Sequence, residues 1–143
     1  MTLLLLIHAA ATLFMTGLIW FVQVVHYPLF AGVSPDRFEQ YEKDHTKRTG
    51  WVVGPPMLIE LGTAAALIRW RPDAIPSLAV WVGLALLSVI WLSTLLQQMP
   101  EHRRLLSGFD ADSHRRLVRT NWIRTFAWTA RGCLSVWFVV LAM

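Results

Sequence analysis

The chain alternates between long stretches without charge and short charged intervals. No Asp, Glu, Lys or Arg occurs from Thr2 to Pro35, and none from Ala74 to Pro100. A hydrocarbon core of about 30 Å needs roughly 20 helical residues at about 1.5 Å each. Both stretches are longer than that and predict spans at residues 3–26 and 77–98. Two further stretches are nearly as apolar. Thr49–Ile68 holds one ionisable residue, Glu60, and Asn121–Met143 holds Arg124 and Arg131. They predict spans at 50–69 and 121–142. Backbone in lipid must satisfy its own hydrogen bonds, so the spans should be helical. The expected fold is all-α: an integral membrane, up-and-down four-helix bundle forming one domain over 1–143. The first span lacks a basic leader and outruns a signal h-region, so it is expected to be retained.

The charged intervals carry structure of their own. Ser34-Pro35-Asp36 reads as an N-cap, a first-turn proline and a first-turn acid. After it Phe38, Tyr41, His45 and Arg48 recur at helical spacing. This predicts a short amphipathic helix, 35–48, lying at the membrane interface or capping the bundle end. Pro55 and Pro56 are expected to kink or restart the second span. Gly108-Phe109-Asp110 reads as a turn, with Ser113 as N-cap of a long fourth helix.

Composition narrows the class. Hydrophobic residues make up 55% and charged residues 15%, against roughly 25% charged in soluble domains. That argues against a soluble domain and against disorder. A single Cys excludes an internal disulfide framework and a Cys-based zinc site. The net charge of +4 comes from two intervals. Arg37, Lys43, Lys47 and Arg48 lie in the first, and Arg103, Arg104, Arg115, Arg116 and Arg119 in the third. Short loops rich in Lys and Arg stay cytoplasmic. The two basic intervals are therefore expected on the cytoplasmic side of the membrane, with both termini outside the cytoplasm. The basic bias points to anionic lipid as partner, not nucleic acid. Gly50, Gly54, Gly62 and Gly132 would permit close helix contacts, within one chain or in a homo-oligomer.

Ionisable groups inside lipid are costly and usually paired. Glu60 and Arg131 fall at similar depth and are expected to form a buried ion pair. Stripes of His8, Thr12, Thr16, Gln23 and His26, and of Asn121, Arg124, Thr125, Trp128, Arg131 and Ser135, should face the interior. They could serve packing or line a hydrated cavity, for which His8, Gln23, Gln97, His102 and Trp128 are the candidate lining residues.

Most side chains able to do chemistry converge on the cytoplasmic end: His26, Tyr27, His45, Arg48, Gln97, Gln98, His102, His114, Asn121 and Arg124. Three readings stay open there. The imidazoles could bind haem or a transition metal, with His8, His26 or His102 as ligands. They could act as general bases, His26 or His45, with Arg48, Arg124 and Asn121 stabilising an oxyanion. Or they could be solvated. No H-x-x-x-H or E-x-x-H pair is expected to act as a ligand set, and Glu60 is the only acid within a span, so a di-metal carboxylate bundle is not expected.

GLIWFVQVVHYPLF, with Gly17 eleven positions before Pro28, and the tail NWIRTFAWTARG resemble the anthrone-oxygenase-like family of small four-span bacterial membrane proteins. The resemblance implies a four-helix bundle in a bacterial cytoplasmic membrane and, in the oxygenase members, cofactor-free oxidation of a polycyclic aromatic substrate. Taken together, the first expectation is a membrane-embedded oxidative enzyme acting on a hydrophobic aromatic or quinone-like molecule. A haem- or metal-binding redox protein is the second, and a non-catalytic partner subunit or small-solute carrier the third.

Overall fold

The computed structural model describes residues 1–143, and four long helices take up nearly all of them. They are α1 (Thr2–Gly32), α2 (Pro35–Arg69), α3 (Ser77–Leu105) and α4 (Ala111–Leu141). There is no strand. The first three are long and apolar enough to cross a membrane. In α4 the basic first turns, Arg124 and Arg131 lower the hydropathy.

The packing is polar inside and apolar outside. α4 lies against both α1 and α3, and α2 against both α1 and α3. Thr12, Gln23, Glu60, Asn121, Thr125 and Arg131 are buried, whereas Phe14, Leu58, Leu96 and Phe126 are exposed. Water would penalise that arrangement and lipid favours it. One apolar cluster, built on Phe30, Phe38, Leu105, Leu117 and Trp128, seals the end where α1 meets α2. Another, built on Leu5, Leu67, Ile75 and Phe138, seals the opposite end.

The 35–48 segment is not a separate interfacial helix: it is the first part of α2, which runs unbroken for 35 residues, or about 52 Å. Its buried stripe is Phe38, Glu42 and His45, while Arg48 is exposed. Phe38 packs edge-on to Phe30 and Phe109, at 6.2 and 5.1 Å between ring centroids. Those contacts hold the segment upright against the other helices. Pro55 and Pro56 neither break nor restart α2. Adjacent prolines leave the carbonyls of Trp51 and Val52 without their intrahelical donors, and the helix continues through that gap.

α4 is capped by Asp110, not Ser113. The Asp110 carboxylate accepts from the Ser113 amide at 2.8 Å, so Ser113 stands at the third helical position, buried. The turn before it holds Gly108 at φ +124°, a conformation that favours glycine.

α1 and α3 share a second irregularity. Each widens into a π turn, at Val22–His26 and Thr94–Gln98, and each has a proline two residues after it, Pro28 and Pro100. The wider turn bonds Tyr27 N–H to the Val22 carbonyl and Met99 N–H to that of Thr94. The helix therefore continues through a residue type that normally ends it.

Candidate functional site

Both π turns open toward a cavity of about 380 Å³ between the helices. Met15, Ile19, Val22, Val53, Met57 and Trp128 make its apolar walls. Tyr27, His45, Gln98, His102 and Arg124 supply its polar groups. That is the composition of small-molecule sites: mostly apolar, with a few convergent polar groups. Along α2 the lining residues are Thr46, Thr49, Gly50 and Val53, and along α3 they are Met99, Arg103 and Leu106. These two rows border a slot between α2 and α3. Gly50 stands in it with nothing within 4 Å of an added Cβ.

One wall is a cluster of imidazoles. The Tyr27 hydroxyl and His102 Nε2 share a hydrogen bond at 2.9 Å, and His102 Nδ1 lies 2.5 Å from Glu42 Oε1. A carboxylate accepts, so His102 carries its proton on Nδ1 and accepts from Tyr27. His26 Nε2 and Thr49 Oγ1 lie 2.9 and 3.1 Å from His45 Nδ1. His114 Nε2 donates to the Tyr27 carbonyl at 2.8 Å. In its neutral form the His45 imidazole has one nitrogen without a proton, able to accept one or to ligate.

Arg124 lies beside this cluster, its guanidinium in contact with the Tyr27 hydroxyl. It is 8% exposed, yet no carboxylate pairs with it. Asn121 Oδ1 accepts from its Nε at 2.9 Å and from its Nη2 at 2.6 Å, and Thr94 Oγ1 accepts from Nη1 at 3.2 Å. Asn121 is held in turn by its amide nitrogen donating to Gln23 Oε1 at 2.9 Å, and the Gln23 amide donates to the Val118 carbonyl at 3.2 Å. The guanidinium carbon is 5.9 Å from the Trp128 ring centroid. A buried cation held by neutral groups keeps its field for whatever enters beside it.

The expected site residues divide accordingly. His45, His102, Arg124 and Trp128 line the cavity. His26, Asn121 and Gln23 stand behind it, holding the residues that do. Arg48 does not join them. At about 100° per residue it falls on the side of α2 opposite Thr46, Gly50 and Val53, and it is exposed. Gln97 accepts from Ser93 Oγ at 2.8 Å and also turns away. His8 bonds Thr63 Oγ1 at 2.8 Å and borders, with Arg131, a separate void of about 10 Å³. That void is too small for a substrate.

Glu60 and Arg131 lie side by side near this void. Arg131 Nε and Nη2 each donate to Glu60 Oε1 at 3.3 Å, and Trp128 Nε1 donates to Oε2 at 2.9 Å. Arg131 also donates to the Gly83 carbonyl.

The residue that sequence reasoning passed over is Glu42. The expectation of no E-x-x-H ligand pair was wrong: Glu42-Lys43-Asp44-His45 has that spacing, which puts both side chains on one helix face.

Compared with protein-family models, curated proteins and solved structures, the chain shows no significant match.

Proposed function

We propose that the protein is an up-and-down four-span bundle of a bacterial cytoplasmic membrane, and that its cavity takes a hydrophobic aromatic or quinone-like molecule for oxidation. Support for the fourth span comes from α4 itself. Its outward residues Phe126, Val136 and Val140 are apolar, while Asn121, Arg124 and Arg131 turn inward. The molecule would enter from the bilayer through the slot beside Gly50.

The observation that carries the reading is Arg124: a buried guanidinium without a carboxylate, on the wall of an otherwise apolar cavity. It suits a phenolate or a reduced quinone losing its proton. Neutral His45 would accept that proton, with His26 and Thr49 orienting the ring. Arg124, fixed by Asn121, would hold the oxyanion. Oxidation of a hydroquinone by dioxygen then removes two electrons and two protons, giving quinone and hydrogen peroxide.

The test compares 1,4-naphthoquinone with its 2-hydroxy derivative, an anion at neutral pH, by calorimetry on protein in lipid nanodiscs. A charge-assisted hydrogen bond contributes about 1.5–3 kcal/mol, so the anion should bind at least about tenfold more tightly. Arg124→Gln should remove that preference, and Gly50→Leu should weaken both ligands by blocking the slot. Equal affinity of the two ligands for the wild type would refute the reading.

A further inference from the structure

We propose that Glu42, His45 and His102 bind a single divalent first-row transition-metal ion at the edge of the cavity. The three side chains each bring one ligand atom within 4.8 Å of the others. Two adjacent ligands on one ion, each at about 2.1 Å, lie about 3 Å apart. The set needs modest movement: His102 Nδ1 and Glu42 Oε1, now at 2.5 Å, separate as the ion enters, and the His102 proton moves from Nδ1 to Nε2, where the Tyr27 hydroxyl oxygen accepts from it.

Glu42 supplies the independent argument. Its side chain is fully buried, its only charged-type partner is the imidazole of His102, and its Oε2 has no hydrogen-bond partner. A carboxylate removed from water without a full complement of donors is costly. No Lys or Arg approaches to offset that cost, although the same segment carries Lys43, Lys47 and Arg48. A divalent cation would use the free oxygen and neutralise the charge.

The surroundings have the form of an outer shell. Tyr27 hydroxyl bonds His102 at its other nitrogen, and His26 bonds His45. Such partners orient ligating imidazoles. His45 and His102 also line the cavity, so vacant coordination positions would face the space a substrate occupies. Two imidazoles and one carboxylate with open positions are the donor set of non-haem iron(II) sites. Magnesium and calcium prefer oxygen alone.

With the ion bound, His45 is a ligand and no longer the base proposed above, so metal binding and naphthoquinone binding are measured separately. Untagged, chelator-treated protein in nanodiscs would be titrated with cobalt(II), followed by ligand-field absorption. The expected result is one cobalt per chain, not displaced by excess magnesium or calcium. Glu42→Gln and His102→Asn should each weaken binding at least about a hundredfold, and Tyr27→Phe about 10–100-fold. Gly62→Ala, away from the cluster with nothing within 4 Å of the added Cβ, should bind cobalt as the wild type does. Folded wild-type protein without saturable cobalt binding would overturn the site, even if naphthoquinone binding survives. So would cobalt affinity unchanged in Glu42→Gln.

Discussion

Removing one member of the Glu60–Arg131 pair should harm the protein more than removing both, and the two single losses should differ. Glu60 receives two hydrogen bonds from Arg131 at 3.3 Å and one from Trp128 at 2.9 Å, and both charged side chains are almost wholly buried. Arg131→Leu leaves the carboxylate with Trp128 alone. A stranded carboxylate can take up a proton, at about 1.4 kcal/mol for each pH unit above the ordinary carboxyl value. At neutral pH that caps the loss at about 4 kcal/mol. Glu60→Gln keeps an acceptor for Trp128 but strands a guanidinium, whose only remaining acceptor is the Gly83 carbonyl. Guanidinium does not shed its proton in proteins, so this loss has no such cap and should reach about 5 kcal/mol, the upper end for broken buried pairs. The double variant strands no charge and should lose only about 1–2 kcal/mol. Reversible unfolding in mixed micelles, at pH 7 and pH 5, measures all four proteins. The Arg131→Leu loss should shrink by about 1.4 kcal/mol for each pH unit lowered, while the Glu60→Gln loss should stay constant. A double variant as damaged as either single one, or an Arg131→Leu loss indifferent to pH, would refute the reasoning.

Two further outcomes test the helix contacts. A Cβ at Gly132 would lie 3.1 Å from Thr16 Oγ1 and 3.5 Å from Leu13 Cδ2, so Gly132→Val should force α1 from α4 and cost about 1–3 kcal/mol in the same unfolding assay. Gly62 has nothing within 4 Å, and Gly62→Ala should leave stability unchanged or raised. At the start of α4, bonding to Ser113 holds the Asp110 carboxyl below the usual aspartate range. The cap is therefore complete above that range and is lost as the pH falls through the lowered value. Hydrogen exchange at the Ser113 amide should run faster in Asp110→Ala than in wild type at neutral pH, and the two should converge in acid.

The outlines of α1 and α3 were legible because nothing but a membrane or a deep interior explains such long uncharged runs. The inward stripe of α4 was legible too: Asn121, Arg124, Thr125, Trp128, Arg131 and Ser135 are all buried. Periodicity failed on the first part of α2. It grouped Arg48 with Phe38 and His45, yet the buried stripe runs through Glu42. The hydrophobic pattern assigns an acid to the solvent. What placed Glu42 inside was a partner 60 residues away, His102, and no local pattern reports such a contact. α1 and α3 run on past Pro28 and Pro100 because the π turns before these prolines absorb the missing donors.

Those turns explain why the polar groups gather at one level. An extra residue in a helical turn shifts the faces of everything beyond it, so one helix can address two neighbours within a few residues. Gln23, inside the turn of α1, bonds Asn121 on α4, whereas His26, at its end, bonds His45 on α2. Tyr27 follows at once and reaches His102 on α3. α3 repeats the device: Thr94 accepts from Arg124, and Gln98 donates to Thr120 at 2.8 Å. Regular α-helix would carry residues 23, 26 and 27 around its axis at fixed angles of about 100°. The two proline-linked turns thus act as the joints of the cavity. Each costs ladder hydrogen bonds, and each is retained at the depth where imidazole, phenol, amide and guanidinium groups converge.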